Sequence, residues 1–388
     1  MNLSKLPLSI VQVVRDVGPG GGINGVAYNL GIQFKRKGIE AQNLTLGKAK
    51  KESMGRSIFF SKIKLMKEVV QFTVFGTLRA RRQFLKSSDQ SVVLCHADVL
   101  YGDVYVNHGL HLAMLRRSEN RFRIIVRNPF HLFLLLREWL RFYFNIHSVI
   151  VCFSDREKRE LLEVYPKIKS EVVVIPNGID LDVYRPGLPQ DNCGLRLSFG
   201  LDLEDLCLIF VGHEFDRKGL KLVVEALALL PKHVKLVVVG GGSQSKIDQY
   251  KKIAEKLAVE NRVKFLGQRS DVAALLNMCD LFVLPSFYET WALVGVESMA
   301  CGLPVLMCPV GGITEYLHDG HNGFEITRDP KDIADKVKYF IDVPSAVSRM
   351  GEKAISTARQ YAWSSVADSY IALFHKIICD NRNRANRQ

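Results

Sequence analysis

Ser286-Phe287-Tyr288-Glu289-Thr290-Trp291-Ala292-Leu293-Val294-Gly295-Val296-Glu297-Ser298-Met299-Ala300-Cys301-Gly302-Leu303-Pro304-Val305 leaves an apolar strand, enters a helix and turns out through Gly302 and Pro304 toward another strand. Glu289 stands before that helix and Glu297 inside it, so both carboxylates can face one pocket. An ionised carboxylate accepts several charge-assisted hydrogen bonds, which suits it to a ligand rich in hydroxyls. The amides of Thr290, Trp291 and Ala292 lie where the helix begins. There, unpaired N–H groups and the helix dipole favour oxygen-rich or anionic groups.

Outward from this stretch, short β-rich apolar runs alternate with helical segments. Strands are expected at residues 206–211, 234–239, 263–266, 281–284 and 305–307, with helices between them at 220–230 and 294–301. The first half repeats the pattern less clearly. Its strands are expected at 8–14, 92–97, 104–107, 149–153 and 171–175. A helix is expected over 25–37, and another opens at the capping box Ser154-Asp155-Arg156-Glu157. Continuous apolar strands alternating with helices predict parallel sheets covered on both faces. Pro176-Asn177-Gly178-Ile179-Asp180 and the prolines at 186 and 189 mark a connection between two domains. Residues 363–378 read as one long terminal helix.

With 388 residues the chain has length for two cores. Its 47% hydrophobic and 24% charged residues are ordinary for a soluble globular enzyme. The eight cysteines fall in no CxxC pair and beside no histidine at zinc spacing, so reduced thiols and no metal are expected. Residues 1–10 do not read as a secretory signal, and no stretch reaches the ~20 apolar residues of a membrane span. The net charge of +13 is uneven. Residues 1–190 hold 29 Lys and Arg against 16 Asp and Glu, while the remainder balances at 24 each. A basic half points to an anionic partner.

These motifs resemble the GT4 family of retaining glycosyltransferases, which have the GT-B fold. The resemblance rests on the two glutamates with seven residues between them and on Met299 to Val305. Gly311-Gly312-Ile313-Thr314-Glu315, Ile175 to Asp180, and Val211-Gly212 through Arg217-Lys218-Gly219 also carry it. Their style is that of enzymes building lipopolysaccharide and surface polysaccharide. The resemblance implies an α/β chain of two Rossmann-like domains facing across a cleft. An acceptor-side domain would cover residues 1–185, rejoined by a C-terminal helix at 362–388. A nucleotide-sugar domain would cover 186–361. Glu297 would hold ribose hydroxyls and Glu289 the donor sugar, with Thr290, Trp291 and Ala292 beside it. Lys218, helped by Arg217, would face the diphosphate, where charge grows as the glycosidic bond breaks. His213 stands where the family often has arginine. Gly21 and Gly22, in the glycine-rich turn after the first strand, would let the diphosphate approach the backbone. His108, rather than His96 or His111, would sit by the donor sugar. Glu289, Lys218 and His108 are thus the candidate catalytic residues. Asp180-Leu181-Asp182 imitates a metal motif of another fold and reads as structural.

The expected co-substrate is a nucleotide-diphosphate sugar, with uridine preferred to guanosine, and no metal. The expected acceptor is a glycolipid or glycan, and nucleic acid is not an expected partner. Basic and apolar residues mix over 58–86 and 121–144, where Arg137, Glu138 and Arg141 share a helical face. That mixture suits helices lying on an anionic membrane, so a cytoplasmic protein peripheral to the inner membrane is expected. A sugar-nucleotide epimerase of the same fold is the enzymatic rival. A non-enzymatic binder of membrane or nucleic acid is the other.

Overall fold

Val, Ile and Leu runs too short for helices and flanked by turns form most of the strands, and helices alternate with them along the chain. The computed structural model describes residues 8–19, 22–46, 58–84, 90–117, 121–241 and 243–385. The chain divides into two units, Met1–Asn177 with Trp363–Gln388, and Gly178–Ala362.

The first unit carries β1 (Ser9–Val13), β2 (Glu40–Leu44), β3 (Ser91–His96), β4 (Val104–Val106), β5 (Val149–Cys152) and β6 (Glu171–Val174). They form a parallel sheet in the order β2-β1-β3-β4-β5-β6. Neighbours change direction between β1 and β3, the switch point where doubly wound sheets bind ligands outside the carboxyl ends of their strands. The terminal helix Trp363–Ala385 packs on the helix Gly22–Arg36, with the Phe34 and Phe374 rings 5.9 Å apart. Lys37 and Asp368 pair across them at 2.7 Å.

The second unit carries β7 (Leu206–Val211), β8 (Val234–Val239), β9 (Val263–Gly267), β10 (Leu281–Leu284), β11 (Val305–Met307) and β12 (Gly323–Glu325). Its order is β12-β11-β10-β7-β8-β9, again parallel. Two three-stranded halves diverge from β7 and β10, so the switch point lies between those two strands.

Two edge strands escape the sequence pattern. β2 is largely polar (Glu40, Gln42, Asn43), and β12 has three residues. An edge strand needs less apolar surface because it is bonded on one side only.

The helix Phe130–Tyr143 corrects the reading of its charged face. Glu138 and Arg141 are buried, and the face they share with Arg137 points into the unit. Arg137 pairs with Asp98 at 2.8 Å. Arg141 donates to the Val99 carbonyl at 3.0 Å and lies 3.9 Å over the Tyr105 ring. Glu138 accepts from the amides of His111 (2.5 Å) and Leu112 (3.2 Å) and from the Tyr165 hydroxyl (2.8 Å), capping the helix His111–Arg117. Leu132, Leu136, Trp139, Tyr143 and the following Phe144 face outward instead. No helix among the described residues is long and apolar enough to cross a membrane.

Candidate active site

Two loops of the second unit meet at its switch point. After β7 the chain passes Gly212 and enters the short helix Phe215–Lys218. A Cβ on Gly212 would overlap the Lys218 stem, so that stem lies directly on the backbone of Gly212. Gly219, at φ 79°, turns the chain where a Cβ would strike the Pro285 carbonyl. Only glycine gives both that dihedral and that approach. After β10, Phe287 N–H donates to the Arg217 carbonyl at 2.9 Å, so the two loops are tied main chain to main chain.

This register brings Lys218 Nζ within 2.8 Å of Glu289 Oε1. The Ser286 hydroxyl donates to the same oxygen at 2.9 Å, and Arg217 Nη1 stands 3.3 Å from it. Arg217 also donates to the Tyr288 carbonyl and pairs with Glu214 at 2.8 Å. Three donors therefore converge on one oxygen of a buried carboxylate. Oε2 of Glu289 has no hydrogen-bond partner among the described residues.

Residues 289–292 are clamped from behind. Gly311, at φ 56°, lies so close that a Cβ would collide with the Glu289 carbonyl. Gly312 N–H donates to the Thr290 carbonyl at 2.8 Å. The Tyr316 hydroxyl bridges the carbonyls of Trp291 (3.2 Å) and Ala292 (3.0 Å). Ala292 caps the helix Leu293–Ala300 in the left-handed region, φ 58° and ψ 66°, where non-glycine residues are strained. The carbonyls of 290–292 are thus occupied, while their N–H groups have no partner among the described residues. The buried Trp291 indole N–H is likewise unpaired, its ring set against Tyr316 and Tyr361. The segment presents donors and keeps its acceptors turned away.

Glu297, on the second turn of that helix, is half-buried and hydrogen-bonded to the Tyr184 hydroxyl. Burial pushes its carboxyl up to about 7, against the opposing effects of that bond and of the Lys218 charge. Tyr184 was not picked out from sequence. Its only sequence signal is its place four residues beyond Asp180, whose carbonyl accepts the Tyr184 N–H at 2.9 Å. His213 is exposed, and its Nδ1 stands 3.4 Å from the Gly241 carbonyl. Glu289, Lys218, Arg217, Thr290, Trp291, Ala292 and Glu297 are therefore all placed at one end of one sheet.

In the first unit, Gly22 opens its helix at φ 72°, and Gly21 lies outside the described residues. His108 follows β4 at the carboxyl edge of the sheet, its Nε2 3.4 Å from His96 Nδ1 and its ring edge-on to Phe153 at 5.2 Å. Burial and the neighbouring His96 hold His108 well below the usual histidine range. His111 instead stacks on His131, 2.9 Å between ring nitrogens. Asp180 accepts from Asp182 N–H at 3.0 Å, an ordinary local turn. Among the described residues no group of three or more His, Cys, Asp or Glu could hold a metal ion.

Known proteins share this framework. The family described as Glycosyltransferase Family 4 matches residues 20–183, and that described as Glycosyl transferases group 1 matches residues 195–357. The D-inositol 3-phosphate glycosyltransferase of Corynebacterium glutamicum is 28% identical over 243 residues, 60% of this chain and 58% of that protein. The chain spans little more than half the length of the curated relatives it matches. WaaG, a glycosyltransferase involved in lipopolysaccharide biosynthesis, superposes with a TM-score of 0.73 at 19% identity, covering 94% of this chain and 99% of WaaG. Anabaena HepE, solved with UDP and glucose, superposes at 0.67 with 20% identity, covering 95% and 100%. With two parallel six-stranded sheets in the GT-B manner and both family domains in succession, the chain belongs to the glycosyltransferases, a Family 4 domain followed by a group 1 domain.

Proposed function

We propose that the protein is a retaining glycosyltransferase that moves a hexose-type sugar from a nucleotide-diphosphate sugar to a lipid-linked, lipopolysaccharide or polysaccharide acceptor. The observation that carries this reading is the meeting of Lys218, Arg217 and Glu289 beside unpaired amides at the switch point. Glu289 Oε2 and the 290–292 amides suit sugar hydroxyls, and Glu297 suits the ribose. Lys218 and Arg217 suit the diphosphate, whose charge grows as the bond breaks. In the first unit, the glycine turn ending at Gly22, at φ 72°, suits the close approach of a phosphate, and His108 suits a sugar hydroxyl. Fixed positioning and electrostatics would then supply the rate, with no protein nucleophile. HepE binds UDP and glucose, which favours uridine. Incubation with a panel of UDP- and GDP-sugars should raise the melting temperature, most for the true donor, because a ligand bound only by the folded state stabilises it. Donor consumption should require an added acceptor; consumption without one would favour the epimerase.

The acceptor side belongs to the first unit, and we place it at the inner face of the membrane. The outward Leu132, Leu136, Trp139, Tyr143 and Phe144 offer apolar and aromatic contact, with arginines at 123 and 127 nearby. Binding to liposomes should rise with anionic lipid and fall with salt. Trp139→Asp with Leu136→Asp should abolish it, and binding unchanged by both would remove the membrane from the proposal. The inositol-phosphate enzymes among the relatives favour a second reading, a soluble phosphorylated polyol as acceptor. Transfer to such a polyol without vesicles would select it.

A further inference from the structure

Gln12 is a polar residue next to the end of the otherwise mostly apolar strand β1, fully buried. Such a residue requires partners for its amide. Its Nε2 lies 3.0 Å from the Ala27 carbonyl and 3.1 Å from Asn43 Oδ1. Gly31 leaves room for it, since a Cβ there would come within 3.0 Å of Nε2. The Ala27 carbonyl can only accept, so the amide nitrogen must face it and the amide oxygen must face away. That oxygen, Oε1, stands 3.3 Å from His96 Nε2.

The remaining hydrogens follow in sequence. An amide oxygen only accepts, so His96 Nε2 must carry hydrogen. His96 is buried and neutral, its pKa pushed down to about 3 by burial, and a neutral imidazole carries one N–H. Its Nδ1 is therefore a bare acceptor. His108 Nε2, 3.4 Å away, must then be the donor. Neutral His108 has spent its only hydrogen, so its Nδ1 is a bare nitrogen too.

We infer that Gln12 and His96 are positioning residues that fix the tautomer of His108, so that His108 presents Nδ1 as a hydrogen-bond acceptor for a hydroxyl of the bound sugar. The relay assigns His108 the opposite part from a cationic phosphate clamp: it recognises a group that donates, and a phosphate oxygen cannot. Placing the hydroxyl on the donor sugar rests on the function proposed above; the tautomer does not.

The test is nitrogen NMR of histidine-labelled protein, with the His108 signals assigned by their loss in His108→Ala. In the free wild-type protein the expected pattern is a protonated Nε2 and a bare Nδ1. A protonated Nδ1, or an imidazolium, at neutral pH overturns the relay. Gln12→Leu keeps the bulk and removes the oxygen, so the His108 signals should move toward a mixture of tautomers. A melting curve checks that this variant is folded, and an unchanged pattern in the folded variant also overturns the relay. Should Gln12→Leu not fold, the wild-type spectrum alone decides. UDP-glucose should shift Nδ1 as it accepts a hydrogen, and UDP alone should leave it unmoved. The expected tautomer with no Nδ1 shift, when UDP-glucose raises the melting temperature, overturns the hydroxyl contact and leaves donor binding standing. A sugar nucleotide that fails to bind at all counts against the proposed function, and the tautomer is still read from the free protein.

Discussion

Lys218→Ala is expected to lower sugar transfer by about 10²–10³-fold, the usual loss when one preorganised group facing developing charge is removed. The ammonium is held by Gly212 beneath its stem and by Glu289 at 2.8 Å, so it does not have to be ordered during the reaction. Both partners are poorly exposed, with 12% and 9% of their side-chain surface accessible, so water screens them little. Removing the cation also leaves Glu289 with two of its three donors, Ser286 and Arg217. A stability loss of about 1–3 kcal/mol should follow, the cost of an under-satisfied buried polar group. Lys218→Met keeps the stem and separates the two effects, since it should retain more stability and still lose turnover. Release of nucleoside diphosphate from donor and acceptor, measured beside thermal melting, reads both. Near-normal turnover in both variants would remove Lys218 from the diphosphate site.

The second large effect is on binding and depends on pH. Glu297→Ala should weaken UDP-glucose by about 10- to 150-fold, since hydrogen bonds to a charged group contribute about 1.5–3 kcal/mol. In the free protein this carboxyl has a pKa of about 7, raised chiefly by burial. Protonation takes away its charge and one acceptor site, so affinity should climb between pH 6 and 8 and then level off. The donor's two esterified phosphates do not titrate in this interval. Glu297→Gln should bind weakly and without that slope. Stability runs the other way. A carboxyl whose pKa is raised by folding holds its proton more tightly when folded. Its contribution favours folding at pH values below the ordinary carboxylate range and declines as pH rises through 7. Calorimetric titration with UDP-glucose and thermal melting, each across this range, read the two slopes. A flat binding profile in the wild-type protein would contradict the ribose assignment.

Most of the second unit was legible because its strands are unbroken apolar runs and its site lies on contiguous motifs. Glu289, Glu297 and the amides between them fall within nine residues of chain, so local order alone places them together. Lys218 is 71 residues from Glu289, and only the family pattern joined the two before the sheet order did. Sequence did not show that the cation and the carboxylate would bond each other, because each motif implied a ligand contact by itself. Tyr184 was missed because a hydroxyl in a turn has no period. Gln12 was missed because a single polar residue does not disturb the reading of a strand, and its partners at 27, 43 and 96 are far along the chain. The amphipathicity of residues 130–143 was visible, but a pattern does not state which side packs inward. The usual rule puts charge outside. Here Glu138 and Arg141 satisfy a helix start and loop carbonyls that apolar side chains would leave bare.

That inverted helix changes how the protein should be handled at the bench. Solubility engineering commonly spares apolar positions as core and replaces charged ones as surface. At this helix the practice would cut Arg141 and Glu138 out of the interior and strand their partners, while Leu136, Trp139 and Phe144 continued to face water. A preparation that precipitates calls instead for polar substitutions along that outer row, or for a mild detergent that covers it.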